Sequence, residues 1–237
     1  MARTTLPTAL RHHLAALRIL LALTVITGIG YPLLVTGIAQ AGLAEQANGS
    51  LLTTHGTTVA SRLIGQNFAL PARHPGDPHE VPRPDPGWFQ PRPSAGGYDP
   101  GNSGAGNLGP TNPLLTATVR ARRAALAAFD GVPPAAVPAD AVTGSGSGLD
   151  PAISPAYAYQ QVRRVARARR LTPARVRRLV TRQLHGRDLG FLGQPYVNVV
   201  ELNQALAEEA RPAGRPAAAR RPAHPAAGTG RGHAHRG

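Results

Sequence analysis

Cysteine is absent from these 237 residues, and so is lysine. The first absence excludes thiol nucleophiles, disulfide frameworks and cysteine-ligated metal sites. The second excludes a Walker A loop, whose GxxxxGK[ST] pattern needs lysine to reach the phosphates. Acidic residues are few, 12 against 26 basic ones, and all of those basic residues are arginine. The resulting formal charge of +14 invites a nucleic-acid partner. Aromatics make up only 4% of the chain, too few for the stacking platforms of single-strand binders. The abundance of Ala, Pro and Gly beside arginine points instead to compositional bias, and no nucleic-acid partner is expected. No serine occupies a GxSxG elbow, and no carboxylate pair or nucleophile–base set stands out. No catalytic residue and no metal site are therefore assigned.

What is present begins with a charge-free run from Ile19 to Ala44. A helix rises about 1.5 Å per residue, so a hydrocarbon core of ~30 Å takes roughly 20 apolar residues. Residues 19–39 supply that length and are read as one membrane-spanning helix. Arg3, Arg11 and Arg18 precede it and Glu45 is the first charge after it. The arginine excess predicts a cytoplasmic N-terminus over 1–18 and an extracytoplasmic address for 45–210. A cleaved signal peptide competes, since Ala39-Gln40-Ala41 has the small-x-small form. Its apolar core is longer than a signal's, and Gly28, Gly30, Pro32 and Gly37 suit a membrane helix packed on neighbours. Pro32 is expected to kink it.

Beyond the anchor, Leu51–Leu52 and Thr57–Val59 flank His55-Gly56 as a hairpin. Residues 71–93 are too proline-dense for a helix or central strand and read as an extended surface segment, with His74 and His79 in solvent. Ser94 to Thr111 is glycine-rich; a long irregular connection is favoured over an anion-binding loop. Helices are predicted near 113–129, 155–170, 173–185 and 199–209. Three begin at cap-then-proline pairs, Asn112-Pro113, Ser154-Pro155 and Thr172-Pro173, and the fourth at the capping box Asn198 to Glu201. A strand is expected between Val137 and Thr143, and another at Pro195–Val197. The arginines of 163–170 are read as the solvated side of two packed helices. Residues 211–237 lack apolar periodicity and are read as a disordered basic tail, with His233 and His235 in it. The fold class is thus one transmembrane helix followed by a single mixed α/β domain with a small sheet and about four helices.

Six segments in this order resemble the C subunit family of the Kdp potassium-transporting P-type ATPase (KdpC). They read TGIGYPLL, QANGSLL, SRLIGQNF, RPSA followed by the glycine-rich stretch and TNPLL, TGSGSGLDPAISPAYAYQQVRRVARARRL, and GQPYVNVVELNQAL. Where the family carries aromatic-His-Gly before RPSA, this chain has Trp88-Phe89-Gln90-Pro91. The resemblance implies a non-catalytic subunit of an ATP-driven potassium uptake complex at the plasma membrane. Its companions would be a channel-like potassium-binding subunit, a P-type ATP-hydrolysing subunit and a small single-helix subunit. It further implies a catalytic-chaperone role that raises ATP affinity, with Gln161 of QVRRVA at the nucleotide, and potassium carried by the complex. The rival from another class is an anchored exterior protein binding anionic cell-wall polymer, motivated by charge and address alone.

Overall fold

The computed structural model describes residues 7–54, 56–74, 77 and 80–209. The expected tail, His55 and His79 lie outside them. Helix α1 (Thr8–Val25) runs through one π turn (Ile26–Gly30) into α2 (Tyr31–Gly42). The whole, Thr8–Gly42, is long and apolar enough to cross a membrane and none of it is buried within the chain. At 1.5 Å per residue its 35 residues span about 50 Å, more than a hydrocarbon core requires. The π turn sits where Pro32 brings no N–H to the preceding carbonyls, a local cause for a widened turn. Thr24 and Thr27 donate their hydroxyls back to Leu20 O and Leu23 O at 2.8 and 2.7 Å, leaving neither hydroxyl bare on an apolar helix.

The helix breaks at Leu43 (φ −137°, ψ 41°) and a single turn, α3 (Ala44–Ala47), follows. Gln40 and Asn48 exchange two amide hydrogen bonds across the break, at 3.1 and 3.2 Å. β1 (Leu51–Thr54) and β2 (Thr57–Ser61) then form an antiparallel hairpin with a bulge between Leu52 and Thr53. The predicted hairpin is thus present, turning at Gly56 (φ +76°).

Among the described residues of 62–112 there is no helix or extended strand. α4 (Pro113–Asp130) starts where Asn112 accepts from Leu114 N and stops at Gly131 in the left-handed region. The expected strand between Val137 and Thr143 is instead a short helix, α5 (Ala139–Val142), after a 3-10 turn at Pro134–Ala136. Pro138 stands at the N-cap position of that turn of helix, and its lack of an N–H disfavours a central strand there. β3 (Ala152–Ile153), α6 (Pro155–Arg169), α7 (Pro173–Arg182), β4 (Leu184–His185), β5 (Tyr196–Asn198) and α8 (Val199–Glu209) complete the domain. The helix expected to reach 185 ends at Arg182, and Leu184 joins a three-stranded antiparallel sheet of order β3-β5-β4.

One core fills the space between α6, α7, α8 and β5. Tyr157, Val165, Val176, Leu179, Val180, Val197, Leu202 and Leu206 are all fully buried, together with Phe89 from the proline-rich segment. The start of α6 is held twice over by Ser154, whose Oγ accepts from Tyr157 N at 3.1 Å and donates to Asp140 Oδ1 at 2.8 Å. Ser154→Ala is expected to cost about 1 kcal/mol, the usual loss of an N-cap, read as a lower thermal midpoint by circular dichroism.

Candidate functional site

The residue singled out by the resemblance, Gln161, is completely buried on the inner face of α6. Its Oε1 accepts from Gln90 N at 2.6 Å and from Arg164 Nη2 at 2.5 Å, while its Nε2 donates to Gln90 O at 3.1 Å. The side-chain amide therefore pairs with a backbone peptide as a neighbouring strand would. A proline-rich segment needs such a partner, because it cannot join a sheet yet its buried N–H and C=O groups must be satisfied.

The same device recurs along 86–90. Asn203 on α8 accepts from Phe89 N and donates to Phe89 O, both at 2.9 Å. Arg164 donates Nη1 to Pro86 O (2.8 Å) and Trp88 O (2.9 Å), and Arg169 donates Nε to Gly87 O (2.6 Å). The Arg169 guanidinium also lies 3.8 Å over the Trp88 ring. Partial burial lowers the pKa of Arg169, opposed by Asp85, and the side chain keeps its charge. Gln90 donates Nε2 to Phe68 O, Asp85 O and Trp88 O.

Arg164 corrects the expectation that the arginines of α6 form a solvated face. Its Nε meets Asp130 Oδ1 at 2.7 Å in an ion pair whose side chains are 6% and 1% exposed. The carboxylate's other oxygen accepts from Gln160 Nε2 at 2.7 Å, and the guanidinium stacks 4.3 Å over the Phe129 ring. Arg163, Arg167 and Arg170 are exposed as expected. Arg164 stands three residues after Gln161, so the two share the buried face of α6.

A second cluster joins three of the resemblance-bearing motifs. Ser94 Oγ donates to Gly148 O at 2.6 Å, Gly104 N donates to Ser147 O at 2.8 Å, and Gly65 N donates to Leu149 O at 2.7 Å. Arg92 meets Asp150 at 3.1 Å and donates to Thr143 O and Gly144 O. Tyr98 donates its hydroxyl to Arg92 O at 2.7 Å. Burial, with Asp150 adding to it, pushes the Tyr98 pKa up, so the phenol stays a donor at neutral pH. The glycine-rich stretch is thus the irregular connection expected, laid against 144–149. Beside it an open cleft of about 540 Å³ is lined by Gln90, Arg92, Tyr98, Arg122 and Tyr157 among others.

Among the described residues no group of three or more His, Asp or Glu could hold a metal ion, and His74 lies 3.9 Å from Glu80 on the surface. Gly28 and Gly30 fall in the π turn, Pro32 and Gly37 in α2, all on the uncovered surface of the apolar helix. Comparison with known proteins decides the family. The family described as "KdpC: K+-transporting ATPase, c chain" matches residues 13–208, helix and domain together. This chain belongs to the KdpC family. It is 52% identical over 200 residues to the potassium-transporting ATPase KdpC subunit of Sorangium cellulosum (strain So ce56), covering 83% of this chain and 97% of that one. The KdpC subunit of Streptomyces coelicolor is 47% identical over 222 residues, with 88% and 97% covered. That of Mycobacterium tuberculosis (strain H37Ra) is 46% identical over 199 residues, with 83% and 97% covered. In this KdpC chain Gln161 bonds to Gln90 and Arg164, with Asp130 held by Arg164 and Asn203 holding Phe89, and of these residues the sequence had singled out only Gln161 for function.

Proposed function

We propose that this KdpC chain is the non-catalytic subunit of an ATP-driven potassium uptake complex, held in the membrane by Thr8–Gly42. The supporting observation is the family match across 13–208, which includes both the apolar helix and the domain behind it. In this reading the N-terminus is cytoplasmic and the domain lies outside, bracing the channel-like subunit. Gly28, Gly30, Pro32 and Gly37 would meet partner helices, since small residues allow backbones to approach in lipid. Gly28 and Gly30, two residues apart, face different sides of the helix, which suits contact with more than one neighbour.

Gln161 then serves as an internal pin, fixing the Pro-rich segment to α6. A nucleotide reaching it would first have to displace Gln90 and Arg164 from a fully buried amide. Nothing specific favours the cell-wall polymer alternative, whose motive was charge: Arg92, Arg164 and Arg169 are committed within the domain.

Affinity purification of the full chain in detergent from potassium-starved membranes tests the reading. Co-isolation with a channel-like subunit and a P-type ATP-hydrolysing subunit is expected; recovery of the chain alone would refute it. Titration of the full chain with an ATP analogue is expected to give no saturable binding. Micromolar binding abolished by Gln161→Ala would establish the chaperone role instead.

A further inference from the structure

Where the apolar helix ends, the side chains of Glu45, Arg62, Glu201 and His185 form a polar ladder. Glu45, two residues past Leu43, meets Arg62 Nη1 at 2.6 Å. Arg62 Nε meets Glu201 Oε1 at 3.0 Å, and Glu201 Oε2 lies 3.4 Å from His185 Nε2. Asn198 on β5 adds a bond from Nδ2 to Arg62 O at 2.8 Å. His185 ends β4 and its ring stacks on Tyr196, the first residue of β5, with centroids 4.7 Å apart. The loop they enclose, 186–195, is therefore tied by this ladder to the exit of the helix.

That loop presents large apolar side chains outward. Leu189 is 81% exposed and Phe191 69%, and Leu192 is exposed as well. Its shape is fixed: Asp188 N donates to Leu192 O, Phe191 N and Leu192 N donate to Asp188 O, and Leu189 and Gly190 both take positive φ. A leucine in the left-handed region is disfavoured, and a turn in water would ordinarily carry polar residues there. Leu43 and Leu63, which flank the ladder in sequence, are exposed too.

We infer that the 186–195 loop is a second foot on the membrane. Leu189, Phe191 and Leu192 enter the headgroup–acyl boundary beside the helix, with Arg187 at anionic headgroups. The occupant is lipid because the ladder fixes the loop to the end of a helix whose own surface is apolar and uncovered. The inference rests on the reading that Thr8–Gly42 spans a bilayer.

The absence of cysteine permits single reporters without background. In vesicles of phosphatidylcholine and phosphatidylglycerol, the full chain would carry bimane at Phe191→Cys, at Leu34→Cys within the helix, or at Arg120→Cys on exposed α4. The Phe191 probe is expected to emit further to the blue than the Arg120 probe and to be quenched several-fold more strongly by lipids spin-labelled high on the acyl chain. Lipid quenching at Leu34 with only iodide quenching at Phe191 overturns the foot and leaves the span standing. Iodide quenching at both positions overturns the span and the foot together. In the assembled complex in nanodiscs, a Phe191 probe shielded from lipid and iodide alike means that protein covers the loop, and this also overturns the inference.

Discussion

Replacing Arg164 by alanine is expected to destabilise the folded chain by about 3–5 kcal/mol, the usual result of stranding a buried partner charge. The stranded group is Asp130, whose side chain is 1% exposed and whose Oδ1 would keep no cation. The carbonyls of Pro86 and Trp88 would lose their donor in the same step, and Gln161 Oε1 one of its two. Chemical unfolding of the full chain in detergent would read the loss as a lower midpoint. Asp130→Ala combined with Arg164→Ala is expected to cost less than the sum of the two, because the double variant leaves no charge unpaired. Strict additivity would mean that the pair contributes nothing as a pair. Loosening of 86–90 should follow, seen as protease cleavage near Gly87.

Gly148→Ala is expected to cost about 2–4 kcal/mol, combining a left-handed backbone with overpacking. Gly148 has φ +69°, and an added Cβ would stand 2.5 Å from Gly104 O and 3.3 Å from Ser94 Oγ. Neither neighbour can retreat freely. Gly104 N is itself bonded to Ser147 O, and Ser94 Oγ donates to Gly148 O while accepting from Tyr98 N. Gly146→Ala, two residues away, meets nothing within 4 Å and should change stability by less than about 0.5 kcal/mol. Equal effects at 146 and 148 would show that the 104 and 148 segments do not pack together as described.

The helices were legible because their signals are local. Asn112, Ser154 and Thr172 each accept a backbone N–H as caps, with proline following, and Asn198 accepts from Val200 N and Glu201 N. The stripe Val199, Leu202 and Leu206 is buried as its spacing requires. The apolar helix was legible from length and charge alone. What was not legible depends on residues far apart in the chain. Glu201 has capping-box spacing, yet its carboxylate turns to Arg62 and His185, residues far away in the chain. Arg164 reads as one more solvent-facing arginine until Asp130, 34 positions earlier, is placed beside it. Gln90 and Asn203 carry no pattern at all; their roles exist only because an unpaired proline-rich backbone is brought against α6 and α8. Residues 137–143 misled through their β-branched valines, Val137 and Val142, whereas Pro138 leads into a turn of helix.

The paired amides of Gln40 and Asn48 give the molecule a mechanical property. Two bonds span the bend at Leu43, so the apolar helix and the turn that leads into the domain keep one angle. A few degrees of rocking below the bend sweeps the far rim of the body through several ångströms. A tilt of the apolar helix would thus reach the opposite pole enlarged, with no local unfolding needed to carry it.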